Sequence, residues 1–284
     1  LTFTILSVIG IVGLIVWELW GTREPIVDLP LLRDRGFFFS NVMMFCTLFI
    51  LLSTTQLLPQ FVQQLLPYDA TKAGLILMPG GLVLMSLLPL VGYLLHKTQP
   101  KYLICFGFLV SALALYHLSS LDTQVSFKVV ALARMVQGAG FAFLFVPIQT
   151  LAYSDLPPGK SNNASALINL MRNLGGSVGI SVGTTLLARR SQIHQDRLVS
   201  SLTATSTAFQ NHLHDLTRRF AEHGAGPVQA MKRALAVISG EVQTQAAMLS
   251  YLDIFIVLAI GCLIAAALTS LLKELDLSKP QAGG

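Results

Sequence analysis

The run Arg134-x-x-Gln137-Gly138-x-Gly140 places a permanent cation, an amide and two glycines within two helical turns of an otherwise apolar stretch, with Pro147 further on. A guanidinium presents a rigid planar fork of donors, and glycines let a second backbone come close. The chemistry on offer is gating or proton coupling, in which a charged group holds a hydrogen-bonded partner in one state and releases it in another. Arg134, Gln137, Gly138 and Gly140 are the candidates for it. A second cation, Arg172, lies in a later apolar run. A central Arg costs roughly 2.5–3.5 kcal/mol on insertion scales, so each should face a cavity or a partner. Arg172 lies about nine residues from the end of its run, which also allows snorkelling or a purely structural ion pair. No cluster of acid, base and metal ligands occurs at one depth, so no catalytic site and no enzyme is expected.

The elements that must position these residues are helices in lipid. Seven stretches, about 1–20, 37–61, 73–95, 102–119, 127–153, 164–188 and 251–272, are apolar and long enough to cross a bilayer. Roughly twenty helical residues span the hydrocarbon layer of about 30 Å, and backbone in lipid must satisfy its own hydrogen bonds. A β-barrel would show segments of about ten residues alternating in polarity. The expected fold is therefore an all-α membrane protein with seven transmembrane helices. Composition agrees: 53% of residues are apolar and 12% charged, against about 25% charged in a soluble domain.

The net charge of +5 sits at span ends and in loops, with no basic face interleaved with aromatics, so no nucleic-acid partner is expected. In the short loops, eight Lys and Arg fall on one side and two on the other. That asymmetry makes the richer side cytoplasmic. The amino end then starts outside, the carboxyl end is cytoplasmic, and the long segment 189–248 is extracytoplasmic. In that segment Gly224-x-Gly226-Pro227 is a break, followed by a stripe of Met231, Leu235, Ile238 and Val242. The expectation is a helical hairpin standing on the membrane, suited to docking an external partner. His212-x-His214-Asp215 within it reads as a metal site or, more simply, as solvated histidines; without a second close ligand pair, no metal is assigned. Cys46, Cys105 and Cys262 all fall within spans and read as small core residues. The chain opens on Leu, already inside an apolar run, so further sequence is expected before it.

Two other features concern packing and lining. Gly175, Gly179 and Gly183 recur every four residues, giving one small-residue helix face on which another helix can pack. Asn41, Gln56, Gln60, Gln149, Asn169 and Arg172 could line a substrate path; the same Asn and Gln groups could equally make helix-to-helix hydrogen bonds.

Together these runs resemble the carboxyl-terminal half of a major facilitator transporter of the fourteen-helix EmrB/QacA drug-export type. Arg134-x-x-Gln137-Gly138-x-Gly140 resembles the family's RxxQGxG motif in its second-half copy. Gly92-x-x-x-His96-x-x-x-x-Lys101 occupies the place of its cytoplasmic G-x-L-x-D-x-x-x-x-R loop, with His96 for the usual acid and Lys101 for the usual Arg. Asn169-x-x-Arg172-x-Leu174-Gly175-Gly176-Ser177-x-Gly179 resembles the NxxRxLGGSxG run. Pro25-x-x-Asp28-Leu29, Leu58-Pro59-Gln60 and Met78-Pro79-Gly80-Gly81 also fit in order.

The resemblance implies residues 1–36 as a linker helix with an interfacial segment, and 37–284 as a six-helix bundle. It implies proton-coupled export of amphipathic drugs or toxic organic compounds across a bacterial inner membrane, with the proton gradient as energy source and no cofactor. It also implies an amino-terminal half not present here and, in proteobacterial relatives, a periplasmic adaptor. The competing readings are a non-transporting membrane fragment, a structural or interaction module, and a retinal protein; the last lacks a Lys in its final span.

Overall fold

The computed structural model describes Gly10, Gly13 and residues 29–272, apart from 67, 122–124, 155, 158, 202–206 and 225. Seven α-helices are described: α1 (Arg35–Leu65), α2 (Ala70–Leu95), α3 (Pro100–Leu118), α4 (Phe127–Ser154), α5 (Ser161–Ser201), α6 (Thr207–Glu222) and α7 (Pro227–Leu268). Their starts are written in the sequence. The carboxylates of Asp34 and Asp69 accept from the backbone N–H of Phe37 and Lys72 at 2.8 and 2.9 Å, capping α1 and α2. Pro100 and Pro227 occupy the first turns of α3 and α7, where no donor is lost.

This set of seven differs from the seven expected spans. The helices α1, α2, α3, α4 and α7 are long and apolar enough to cross a membrane. Of the expected first span, only Gly10 and Gly13 are described, both helical; the rest of it, including Glu18, and the Pro25-to-Asp28 run lie outside the described residues. The expected span 164–188 falls within α5, which has the length at 41 residues. It does not reach the same apolarity, because Asn169, Arg172 and Asn173 dilute it. The seventh helix, α6, is the amphipathic one between α5 and α7.

At about 1.5 Å per residue, the 42 residues of α7 extend roughly 60 Å, twice the hydrocarbon thickness. Segment 189–248 is thus built largely from the unbroken continuations of α5 and α7, with α6 packed on α7. Gly224, at φ 85°, ends α6 in the left-handed region that glycine adopts without strain. The stripe on α7 holds in part: Ile238 and Val242 pack against α6 as expected, but Met231 and Leu235 do not. Ala230, Ala234 and Ile238 are the buried residues, with Leu213, Phe209, Leu216 and Phe220 of α6 around them. Met231 and Leu235 are exposed instead, because close approach of α6 selects the alanine row.

In the bundle, α1 packs against α5, α4, α7 and α2; α4 also packs against α2 and α3, and α7 against α3 and α5. Phe61 of α1 makes edge-to-face contacts with Tyr251 and Phe255 of α7, centroids 5.4 and 6.1 Å apart. The α1–α5 contact is backbone on backbone: a Cβ at Gly175 or Gly179 would run into the Phe45 or Phe49 carbonyl, and one at Gly183 would meet Leu57 Cδ1 at 3.2 Å. Helices in lipid associate through such close packing. Gly179→Leu therefore forces α1 and α5 apart, at a cost of roughly 1–3 kcal/mol or more from overpacking. Gly81→Leu, where nothing lies within 4 Å of an added Cβ, is the control. The expected outcome in a membrane-protein yield and thermal-unfolding assay is loss for Gly179→Leu and near-normal behaviour for Gly81→Leu; equal behaviour of the two contradicts this packing.

Candidate functional site

Arg134 is 7% exposed, buried where α4 meets α1. Its Nη1 donates to Gln137 Oε1, one turn along α4, and to Thr54 Oγ1 at 3.3 Å; its Nη2 donates to Thr55 Oγ1 at 2.9 Å. Gln137 Nε2 donates to the same Thr54 Oγ1 at 3.3 Å. Thr54 in turn donates to the carbonyls of Ile50 and Leu51 at 2.9 and 3.0 Å, so its oxygen is oriented with lone pairs toward α4. Among the described residues, every acceptor of this guanidinium is a neutral oxygen. Hydrogen bonds to a charged group are stabilising by about 1.5–3 kcal/mol, enough together to hold Arg134 in the bundle without a carboxylate.

The glycines of the same run bring two more helices to α4. A Cβ at Gly138 would collide with the carbonyl of Gly80 on α2, and one at Gly80 would lie 2.8 Å from Arg134 O and 2.9 Å from Arg134 Cγ. A Cβ at Gly140 would lie 2.8 Å from Gly107 O on α3 and would crowd the Ser111 hydroxyl. Within seven residues α4 thus contacts α1 through Arg134 and Gln137, α2 through Gly138, and α3 through Gly140. Thr54 and Thr55, which complete the cluster, carry no motif; a Thr pair in an apolar helix was their only sequence signal.

The remaining candidates separate. Asn41 is buried, its Nδ2 donating to Phe37 O at 2.9 Å while its Oδ1 has no partner among the described residues. That position is inside the packing of α1 and not on an open wall. Gln56 is exposed on α1, Gln60 and Gln149 are half-buried, and Asn169 is exposed on α5. Arg172 is half-buried, with its guanidinium carbon 6.0 Å from the centroid of the Phe145 ring. The structure also exposes a feature not anticipated. Asn169, Asn173, Ser177, Ser181 and Thr185, each four residues apart, form an exposed polar row along α5. The spacing is one of the i±4 ridges of a helix, and it runs on the face opposite the glycine row.

At the α2–α3 turn, Gly92 is half-buried with nothing within 4 Å of an added Cβ, His96 caps α2 and is exposed, and Lys101 lies 5.0 Å from the Tyr102 ring centroid. These three residues do not meet the Arg134 cluster. A cavity of about 370 Å³ opens between Leu31, Asp34, Phe37, Leu151 and Lys160, and no candidate path residue lines it. Toward the segment 189–248, Asp253 of α7 lies 2.8 Å from His194 and 3.5 Å from Arg190 of α5, and His212 lies 3.0 Å from Glu241. Among the described residues no three His, Cys, Asp or Glu side chains are grouped as a metal site.

Residues 1–180 match the family model described as Major Facilitator Superfamily. The chain is 30% identical over 267 residues to the probable multidrug resistance protein EmrY of Escherichia coli (strain K12), covering 93% of this chain and 50% of that protein. It is 34% identical over 200 residues to the multidrug export protein EmrB of the same strain, covering 70% and 39%. It is 30% identical over 256 residues to the fatty acid resistance protein FarB of Neisseria gonorrhoeae, covering 90% and 49%. The chain spans half or less of the length of these relatives. With its helical architecture and a family model matched over most of its residues, the chain belongs to the Major Facilitator Superfamily.

Proposed function

We propose that this chain is the carboxyl-terminal half of a proton-coupled multidrug exporter and supplies one wall of the substrate path. The observation that carries the reading is the Arg134 cluster: a buried cation held, among the described residues, by neutral oxygens alone, at the contact of α4 with α1 and α2. An ion placed there can exchange Thr54, Thr55 or Gln137 for water or an acid of another segment when the helices shift. Chains of this superfamily are built from two bundles around a midplane site, and one bundle has no second wall to move against. The proposal therefore includes an amino-terminal half that carries the protonatable acid, and it makes this half inactive alone. The proton gradient is the energy source and no cofactor takes part. Amphipathic drugs or toxic organic compounds are the substrates, in keeping with the names of the relatives.

The membrane is the bacterial inner membrane, with the carboxyl end cytoplasmic and α6 and the extended parts of α5 and α7 periplasmic, where a periplasmic adaptor protein is the proposed partner. The support is the eight-to-two asymmetry of Lys and Arg in the short loops. A cysteine at Ser239, exposed on α7, should react with an impermeant thiol reagent on intact spheroplasts in a background without native cysteines. One at Ser161, exposed at the start of α5, should react only after the membrane is opened. The reverse pattern inverts the orientation.

Arg134→Ala in the full-length protein should abolish drug efflux from vesicles with an imposed pH gradient, normalised to inserted protein. Arg134→Lys should retain part of it, because a point charge cannot reproduce the guanidinium fork. Full activity in Arg134→Ala leaves Arg134 a packing residue and removes the coupling role.

A further inference from the structure

We infer that the α2–α3 turn, with the groove that opens from it, binds an anionic phospholipid of the surrounding bilayer, a role independent of the transport reading. Helices joined by a short loop are ordinarily packed as antiparallel neighbours. Here only the turn 96–99 joins α2 to α3, yet the two helices hardly touch, and α4 packs against both. Gly138 of α4 meets Gly80 of α2, and Gly140 meets Gly107 of α3. At about 100° per residue these two contacts are about 200° apart around α4. Met135, Ala139, Leu132 and Phe143 fall on the arc between them and are exposed or half-buried. Arg134 and Gln137 fall on the other arc, turned to α1. The walls of an open-sided groove are thus α2 and α3, its floor is α4, and the turn closes one end. Phe106 of α3, itself 50% exposed, stands edge-to-face on Phe143 with centroids 5.0 Å apart. From Phe143 to Leu132 the floor runs about 16 Å, roughly the depth of one leaflet.

The turn carries charge of one sign. Lys97 Nζ lies 4.5 Å from the Tyr93 ring centroid and Lys101 Nζ 5.0 Å from that of Tyr102, with His96 exposed in the same turn. Both rings are 58% exposed, and tyrosine at a span end sits at headgroup level. The ring faces therefore hold two ammonium groups at that level. No Asp or Glu occurs between Asp69 and Asp122, and none within α4, so neither walls nor floor offset them with a carboxylate. The opposite end of α2 differs. Lys72 lies 5.4 Å from the Tyr68 ring, but Asp69 caps the helix beside it, and the Tyr68 hydroxyl accepts from Phe127 N–H at 3.1 Å. Basic pockets between membrane helices suit lipid headgroups, and lysine binds phosphate as a point charge. The headgroup phosphate belongs at Lys97 and Lys101, with an acyl chain along Phe106, Phe143 and Met135. A free phosphate would use the turn and leave the apolar floor without a purpose.

The test measures the lipid retained by the full-length protein in detergent, read as mass adducts by native mass spectrometry. Dioleoyl phosphatidylglycerol and dioleoyl phosphatidylcholine are supplied in equal amounts, and each variant is normalised to monodisperse protein. Phosphatidylglycerol should be retained roughly tenfold over phosphatidylcholine. Lys97→Gln combined with Lys101→Gln should bring that ratio near one, and the paired Lys→Arg changes at the same two positions should keep it. Lys72→Gln, at the opposite end of α2, should leave the ratio unchanged. Millimolar glycerol phosphate, which has the headgroup anion and no acyl chains, should not displace the lipid. Equal retention of the two lipids, or a preference that survives the paired Gln changes, overturns the inference and leaves the turn a solvated basic loop. An equal loss in Lys72→Gln overturns it as a general effect of charge. Displacement by glycerol phosphate overturns it in favour of a simple anion site.

Discussion

The bundle depends on keeping one guanidinium charged and dry. Among the described residues Arg134 has no carboxylate to neutralise it, so α1 and α4 must hold their side-chain oxygens within hydrogen-bond reach of both its terminal nitrogens. That requirement fixes the register of α4 against α1, because a shift of one residue would move Thr54 and Thr55 around the helix by about 100°. It also fixes α2, whose Gly80 closes over the Arg134 backbone where no side chain fits. A motif that reads as one cation and two glycines is therefore a three-way junction.

Lipid makes such junctions decisive. Hydrophobic burial cannot drive helix association when the solvent is as apolar as the side chains. Backbone proximity and polar contact must do it, and both are concentrated where glycine or Ser/Thr occurs. The α1–α5 seam uses the first, with Gly175 and Gly179 against the Phe45 and Phe49 carbonyls; the α1–α4 seam uses the second. The segment 189–248 follows different rules. There water is the solvent, α6 is amphipathic, and its Leu213 buries against Ala234 and Ile238 in the ordinary way.

How much of this was legible follows the same physics. Apolar length locates helices well, so α1 to α4 and the membrane part of α7 were readable from the chain. Of the helix ends beyond the spans, the start of α7 at Pro227 was legible as a break followed by an apolar stripe, whereas the end of α5 at Ser201 was not, because no breaking residue precedes it. The Arg134, Gln137 and Gly138 part of the cluster was readable because charge and glycine are costly or conspicuous in a span. Thr54 and Thr55 were not, since threonine satisfies itself on its own helix and leaves no periodic trace. Asn41 misled for the opposite reason: an amide looks like a lining group, yet its donor is taken by the Phe37 carbonyl inside the packing.

The helix α5 shows how one element serves two partners. Its glycine row commits one face to α1, and close approach there leaves no freedom to rotate without separating the backbones. The opposite face is consequently held at a fixed angle, and it is the polar one. A polar row that could turn inward would find partners within the bundle and lose its use as a surface. Pinned by the glycines, Asn173, Ser177 and Ser181 must be satisfied from outside this bundle, by water, by a ligand or by another segment. The small-residue contact and the exposed polar wall are thus one design: the first denies the second any internal solution.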